Sequence, residues 1–134
     1  MKKYFLIIFV LAFTLWGCKK DKERLSVLGV WNCEEFSELG QKNYQVNIIR
    51  NQFFPDAENE YIINNFYNLG FTEATEVYVR EEEPGTLTIT GQALGSTGIY
   101  FVGSGIVAND FSRIEWEYIV NDGLTNPTVI ANYY

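Results

Sequence analysis

The stretch Ile114-Glu115-Trp116-Glu117-Tyr118-Ile119-Val120 repeats with a period of two. Ile114, Trp116, Tyr118 and Val120 share one face, and the two glutamates share the other. Only a strand with one buried face satisfies that spacing. Thr86-Leu87-Thr88-Ile89-Thr90 alternates in the same way. Tyr44, Val46 and Ile48 oppose Gln45 and Asn47, and Val77 and Val79 oppose Glu76 and Arg80. The pattern predicts eight strands, at 28–38, 43–51, 60–67, 73–81, 86–91, 98–108, 112–121 and 127–133. Gly, Pro, Asn or Asp stands at each reversal: Leu39-Gly40, Pro55 to Asn59, Asn68-Leu69-Gly70, Pro84-Gly85, Gly95-Ser96, Asn109-Asp110 and Asn121-Asp122-Gly123. No segment between strands is long enough for a helical crossover, so neighbours pair antiparallel. The expected fold class is all-β: an eight-stranded antiparallel up-and-down meander. Closing it into a barrel removes the exposed edges.

Composition agrees. Three Trp, nine Tyr and ten Phe in 134 residues suit sheet and argue against disorder. The length allows one domain. The formal charge of −7 repels polyanions, which sets nucleic acid aside as a partner. The chain has no histidine. It therefore lacks the commonest general base, the commonest zinc ligand and the His of Ser-His or Cys-His pairs. No enzyme activity, metal or cofactor is expected.

The N-terminus carries a different signal. Lys2 and Lys3 precede an apolar run from Tyr4 to Trp16. At ~1.5 Å per residue the run spans roughly 20 Å, short of a ~30 Å hydrocarbon core. It fits the apolar region of an export signal, expected to be helical. It ends Leu15-Trp16-Gly17-Cys18, which resembles the lipobox of bacterial lipoproteins, Trp16 being larger than the usual residue there. The resemblance implies cleavage before Cys18 and attachment of lipid to it. Losing Lys2 and Lys3 takes the net charge from −7 to −9. One acyl chain gives marginal membrane affinity; two or three hold firmly. The implied domains are a signal peptide at 1–17, a lipidated cysteine and polar tether at 18–27, and a barrel at 28–134. The implied location is the cell envelope, lipid-anchored, with the outer membrane favoured and the leaflet open.

Gly29-Val30-Trp31 resembles the G-x-W signature of lipocalin-like (calycin) barrels, in which the tryptophan closes one end. The ordered series Ile63 to Gly70, Leu87-Thr88-Ile89 with Gln92, Gly103-Ser104-Gly105 and Tyr118 to Gly123 is similar to small envelope lipoproteins of Bacteroidetes-type bacteria, which carry such a barrel behind a lipidated cysteine. The resembled proteins have no assigned activity, and two roles are open for such a barrel. One is a non-catalytic interaction or structural module for a protein or glycan partner. The other is a barrel that binds a small apolar ligand. Trp31, Tyr44, Trp116 and Tyr118 are the candidate core or ligand residues. An eight-stranded barrel is either filled by its own side chains or holds one small ligand. Inward Tyr44, Trp116 and Tyr118 favour the filled state and the interaction module.

Other constellations read as structure. Cys33 is expected to be buried and inert, with Glu34 and Glu35 raising its pKa. Glu115 and Glu117 are expected to face water. Asp56, Glu58 and Glu60 read as an acidic loop in preference to a Ca²⁺ site. Glu81-Glu82-Glu83 reads as a charged hairpin tip. Gly103-Ser104-Gly105 reads as a strand bend or bulge. Tyr133-Tyr134 reads as the end of a closing strand, because several outward faces carry Glu, Thr and Arg in place of a lipid-facing apolar band.

Overall fold

The computed structural model describes residues 23–134. The signal peptide at 1–17, Cys18 and the start of the tether lie outside the described residues. Eight strands follow one another: β1 (Gly29–Ser37), β2 (Gly40–Arg50), β3 (Glu60–Asn64), β4 (Val77–Glu83), β5 (Thr86–Leu94), β6 (Ile99–Val107), β7 (Ile114–Asn121) and β8 (Thr128–Tyr133). Every neighbouring pair is antiparallel, and β8 returns to β1 to close the barrel. Cys33 pairs with Tyr133 and Phe36 with Ile130 across that seam. The chain is thus a closed eight-stranded up-and-down barrel.

Inward positions alternate as the sequence requires. β7 buries Ile114, Trp116, Tyr118 and Val120, and exposes Glu115, Glu117 and Ile119. Arg113 pairs with Glu115 at 2.8 Å on the wet face. The core is one continuous cluster along the barrel axis, including Trp31, Val46, Ile48, Phe66, Leu87, Phe101, Val129 and Tyr133.

The closed end is where β1 begins. Trp31 is fully buried there, and its indole N–H donates to Val27 O at 2.8 Å. The Arg24 guanidinium lies 3.8 Å over the same ring and donates to Val30 O. Val27, on the tether side of the sequence boundary, is buried in the core. The far end carries the β1–β2, β3–β4, β5–β6 and β7–β8 connections.

Several local details differ from the sequence reading. β3 stops at Asn64 because Asn65, Tyr67 and Asn68 take left-handed φ values of 61°, 56° and 58° in a short 3-10 turn. The segment 73–76 is not strand: Glu73–Thr75 forms another 3-10 turn, with Thr72 and Thr75 in a reciprocal capping box. β2 begins at Gly40, so the first hairpin turn is tighter than expected. β5 runs on to Leu94 through a register shift between Ile89 and Gln92, where Gly91 has φ 102°. Glu81, Glu82 and Glu83 belong to β4, and the turn itself is Pro84-Gly85. Glu81 is half-buried and accepts from Gly85 N–H (2.8 Å) and Tyr61 O–H (3.3 Å).

On the β7 side Gly103 and Gly105 pair with Tyr118 and Trp116 without interruption. On the β5 side the expected irregularity is a register shift that starts at the Ile89–Gly103 pair. A Cβ on Gly103 would sit 2.4 Å from Tyr118 Cβ, and one on Gly105 would sit 2.6 Å from the Trp116 ring. The missing side chains are what let two large aromatics occupy the interior.

Two predictions follow from this packing. Trp31→Ala should cost ~3 to 5 kcal/mol and Gly105→Ala ~1 to 3 kcal/mol. Glu115→Ala and Glu117→Ala should stay within about 0.5 kcal/mol of the parent. Denaturant midpoints measure all four. An unchanged midpoint for Trp31→Ala would refute its role as the closing plug.

Candidate functional site

The alternation that buries Trp31 on β1 also carries Cys33 and Glu35 inward. On β2 it carries Lys42 and Tyr44 inward above Val46 and Ile48. Register then sets Glu35 opposite Lys42, and Cys33 opposite Tyr44. β8 places Ala131 beside Glu35 and Tyr133 beside Cys33. β7 adds Trp116 opposite Ala131 and Tyr118 one row further along. An acidic side chain therefore stands inside the barrel among phenols.

Glu35 is 1% exposed. Its Oε2 accepts from Tyr118 O–H at 2.9 Å and from Tyr44 O–H. Its Oε1 faces the Lys42 ammonium at 4.0 Å, beyond hydrogen-bond reach. The same ammonium lies 4.4 Å over the Tyr67 ring. Tyr67 follows Phe66, which is fully buried and tilts against Tyr118 at 4.7 Å and meets Phe101 edge-on at 5.2 Å. The 65–68 turn thus plugs the far end. Asn65 fastens it: its amide donates to Gln45 O and its carbonyl oxygen accepts from Gly70 N–H, both at 2.7 Å.

Within the cluster, burial favours the protonated form of the phenols and the thiol. Burial raises Tyr118 and Tyr133 well above the usual phenol value. It also raises Tyr44, with the neighbouring tyrosines adding to the effect. Cys33 is pushed up to about 12, first by burial and then by Glu35 and Glu34, against a hydrogen bond with Tyr44. Tyr67 is raised by burial, then by Glu35 and Asp122. Two donors in the interior, Trp116 Nε1 and Tyr133 Oη, have no hydrogen-bond partner among the described residues.

Of the residues singled out in the sequence, Tyr44 and Tyr118 join this cluster and Trp116 lies beside it. Trp31 is apart, at the closed end. Cys33 is a buried free thiol. Cys18 lies outside the described residues. Glu35 and Lys42 were not anticipated, yet extending the Trp31–Cys33 and Tyr44–Val46 alternation by one step points both inward. The arrangement offers one carboxyl oxygen and several aromatic faces. It offers no activated nucleophile, since the thiol stays protonated.

A concavity of about 960 Å³ lies on the outside of the closed end, between Arg24, Asn32, Asp110, Phe111 and Tyr134. Asp110 there is held below its usual value, first by the Ser112 side chain and then by the Ser112 N–H.

The fold and this interior define an eight-stranded up-and-down barrel protein with an acidic, phenol-lined core. The chain is similar in structure to a redesigned beta barrel, with a TM-score of 0.56 and 11% identity over 80% of this chain and 89% of that one. At such identity the likeness concerns the fold alone. No protein-family model and no curated protein matches the sequence.

The raised groups set an alkaline limit. The folded state keeps protons that the unfolded chain releases at the ordinary thiol and phenol values of 9.0 and 10.0. Unfolded chains then bind fewer protons, so stability falls as pH rises from about 9. Denaturant midpoints across pH should show that fall, and Cys33→Ala should delay its onset by about one pH unit. A bulky thiol reagent should label Cys33 only on unfolding. Rapid labelling of the folded protein at neutral pH would contradict this burial.

Proposed function

We propose that the protein is a lipid-anchored lipoprotein of the cell envelope, and that its lipocalin-like barrel is a non-catalytic interaction module. The observation that carries this reading is the filled interior: Trp31, Trp116, Tyr118, Tyr133, Phe66 and Phe101 are each at most 1% exposed. A barrel packed to that degree leaves recognition to its surface and its far end. The described chain enters at the closed end through Arg24 to Val27, so a tether from Cys18 leads to that end. The far-end connections then point away from the anchor. They carry exposed Leu39, Phe71 and Leu124 on three different connections. Apolar tips on an acidic domain suit contact with a protein or glycan partner.

The second reading, a barrel that takes a small ligand, has its own support in the interior Glu35 and the two unpartnered donors. Two measurements separate the parts of the proposal. Intact-mass analysis of the native protein should give a chain starting at Cys18 with added acyl mass, and Cys18→Ala should leave the membrane fraction or stay unprocessed. An unlipidated mature chain would sink the anchor. Solvent extraction of the purified native protein should yield no stoichiometric apolar molecule; recovery of one would replace the interaction module with ligand carriage.

A further inference from the structure

We infer that the far end of the barrel is a binding site for a small organic ammonium ion, with the Lys42 ammonium as its built-in occupant. The inference goes beyond the interaction module and does not depend on the lipid anchor.

Three features of the site converge on that chemistry. First, the carboxyl of Glu35 is oriented for a cation. Both phenols donate to Oε2, which leaves Oε1 turned toward Lys42. Second, the ammonium that Oε1 faces lies over an aromatic ring, 4.4 Å above Tyr67, and that ring packs against others. Tyr67 lies 6.4 Å from Tyr118 and 5.7 Å from Phe101, centroid to centroid, both near edge-on. A carboxylate joined to aromatic faces is how proteins hold alkylammonium groups. Third, the present occupant fits loosely. Lys42 Nζ sits 4.0 Å from Oε1 and 4.4 Å from the Tyr67 ring, making no hydrogen bond to the carboxyl, and its side chain is 42% exposed. It can leave toward solvent without disturbing the core. A free ammonium, not tied to β2, can approach Oε1 to hydrogen-bond distance and make the contact that Lys42 does not. The net charge of −7 favours arrival of cations over anions.

The segment that supplies Tyr67 is strained as well as anchored. Asn65, Tyr67 and Asn68 all hold left-handed backbone conformations. Non-glycine residues keep such conformations where the surroundings over-determine them, as at ligand clamps. Here Asn65 and the buried Phe66 ring do so, and Tyr67 is held against the Lys42 ammonium as a result.

Truncation gives a direct test. Lys42→Ala removes four heavy atoms beyond Cβ, and n-propylammonium replaces them atom for atom. Backbone amide resonances of residues 65–70 report the site in the full-length protein in detergent. The Lys42→Ala protein should bind n-propylammonium saturably, with a Kd on the order of millimolar for so small a ligand. The wild type should show the same shifts at concentrations at least about tenfold higher, because Lys42 competes. The neutral isostere 1-propanol should not bind. Glu35→Gln in the Lys42→Ala background should abolish binding. If that protein fails to fold, Tyr67→Leu in the same background should weaken binding tenfold or more while leaving the carboxyl in place. Binding of propanol equal to that of propylammonium, retention of binding after Glu35→Gln, or a wild type that never responds would each overturn the inference.

Discussion

An eight-stranded barrel encloses an interior of nearly fixed width, and every other choice in this chain answers to that width. The space is too narrow for a second layer and too wide to close on small side chains. It is filled from β7 by Trp116 and Tyr118, and from the far end by Phe66. Those rings fit only because β6 has no Cβ at Gly103 and Gly105, directly opposite them. Large residues on one strand and glycines on its neighbour form one unit. Trp116 and Tyr133 then lie 5.8 Å apart, and Phe66 bridges to Trp116 at 6.1 Å. The aromatic stack runs without a break from the closing seam between β1 and β8 to the far-end plug.

The two ends solve different problems. At the closed end the indole of Trp31 needs a partner for its N–H, and the chain just before β1 provides Val27 O. The segment that leads into the barrel is therefore part of its floor. At the far end a segment of irregular backbone folds inward, with its polar groups met by Asn65 and its ring by Tyr118. The price of that arrangement is three left-handed residues, each costing on the order of 1 kcal/mol or more.

Strand number, antiparallel order and the inward set were legible because period two admits one solution over five or more residues. Ile114 to Val120 could be read from the sequence with no knowledge of its neighbours. The irregular joints were not. Residues 65–67 look like a continuation of β3, since Phe66 and Tyr67 are strand formers and only Asn65 readily takes a left-handed backbone. The turn is imposed by the hole that Phe66 fills, which is a property of the closed barrel. Gly103-Ser104-Gly105 was half legible for a related reason: the register with β5 does shift beside Gly103. Two glycines in a strand ordinarily signal a bend, and only the register with β7 shows that they face Trp116 and Tyr118. Glu35 was hidden by its own charge: its position on β1 has inward parity, but a carboxylate is not expected inside until two phenols are seen beside it.

Those phenols sharpen the question of why Glu35 is there at all. A buried charge with hydrogen-bond partners is seldom the most stable filling of a core site; apolar residues of similar volume are often as stable or more so. The rows above and below Glu35 show that this barrel can be filled that way, with Val129, Phe101, Ile48 and Leu87 fully or almost fully buried. Two of the groups nearest the acid, Tyr44 and Tyr118, direct their hydroxyls to one oxygen and leave the other facing Lys42. The donors of Trp116 and Tyr133 have no hydrogen-bond partner among the described residues. Packing alone accounts for the rings of these residues but not for their polar atoms. Glu35 with the Tyr44 and Tyr118 hydroxyls makes one polar group of the core, and the Tyr61 hydroxyl with Glu81 makes another at the opposite end of the barrel.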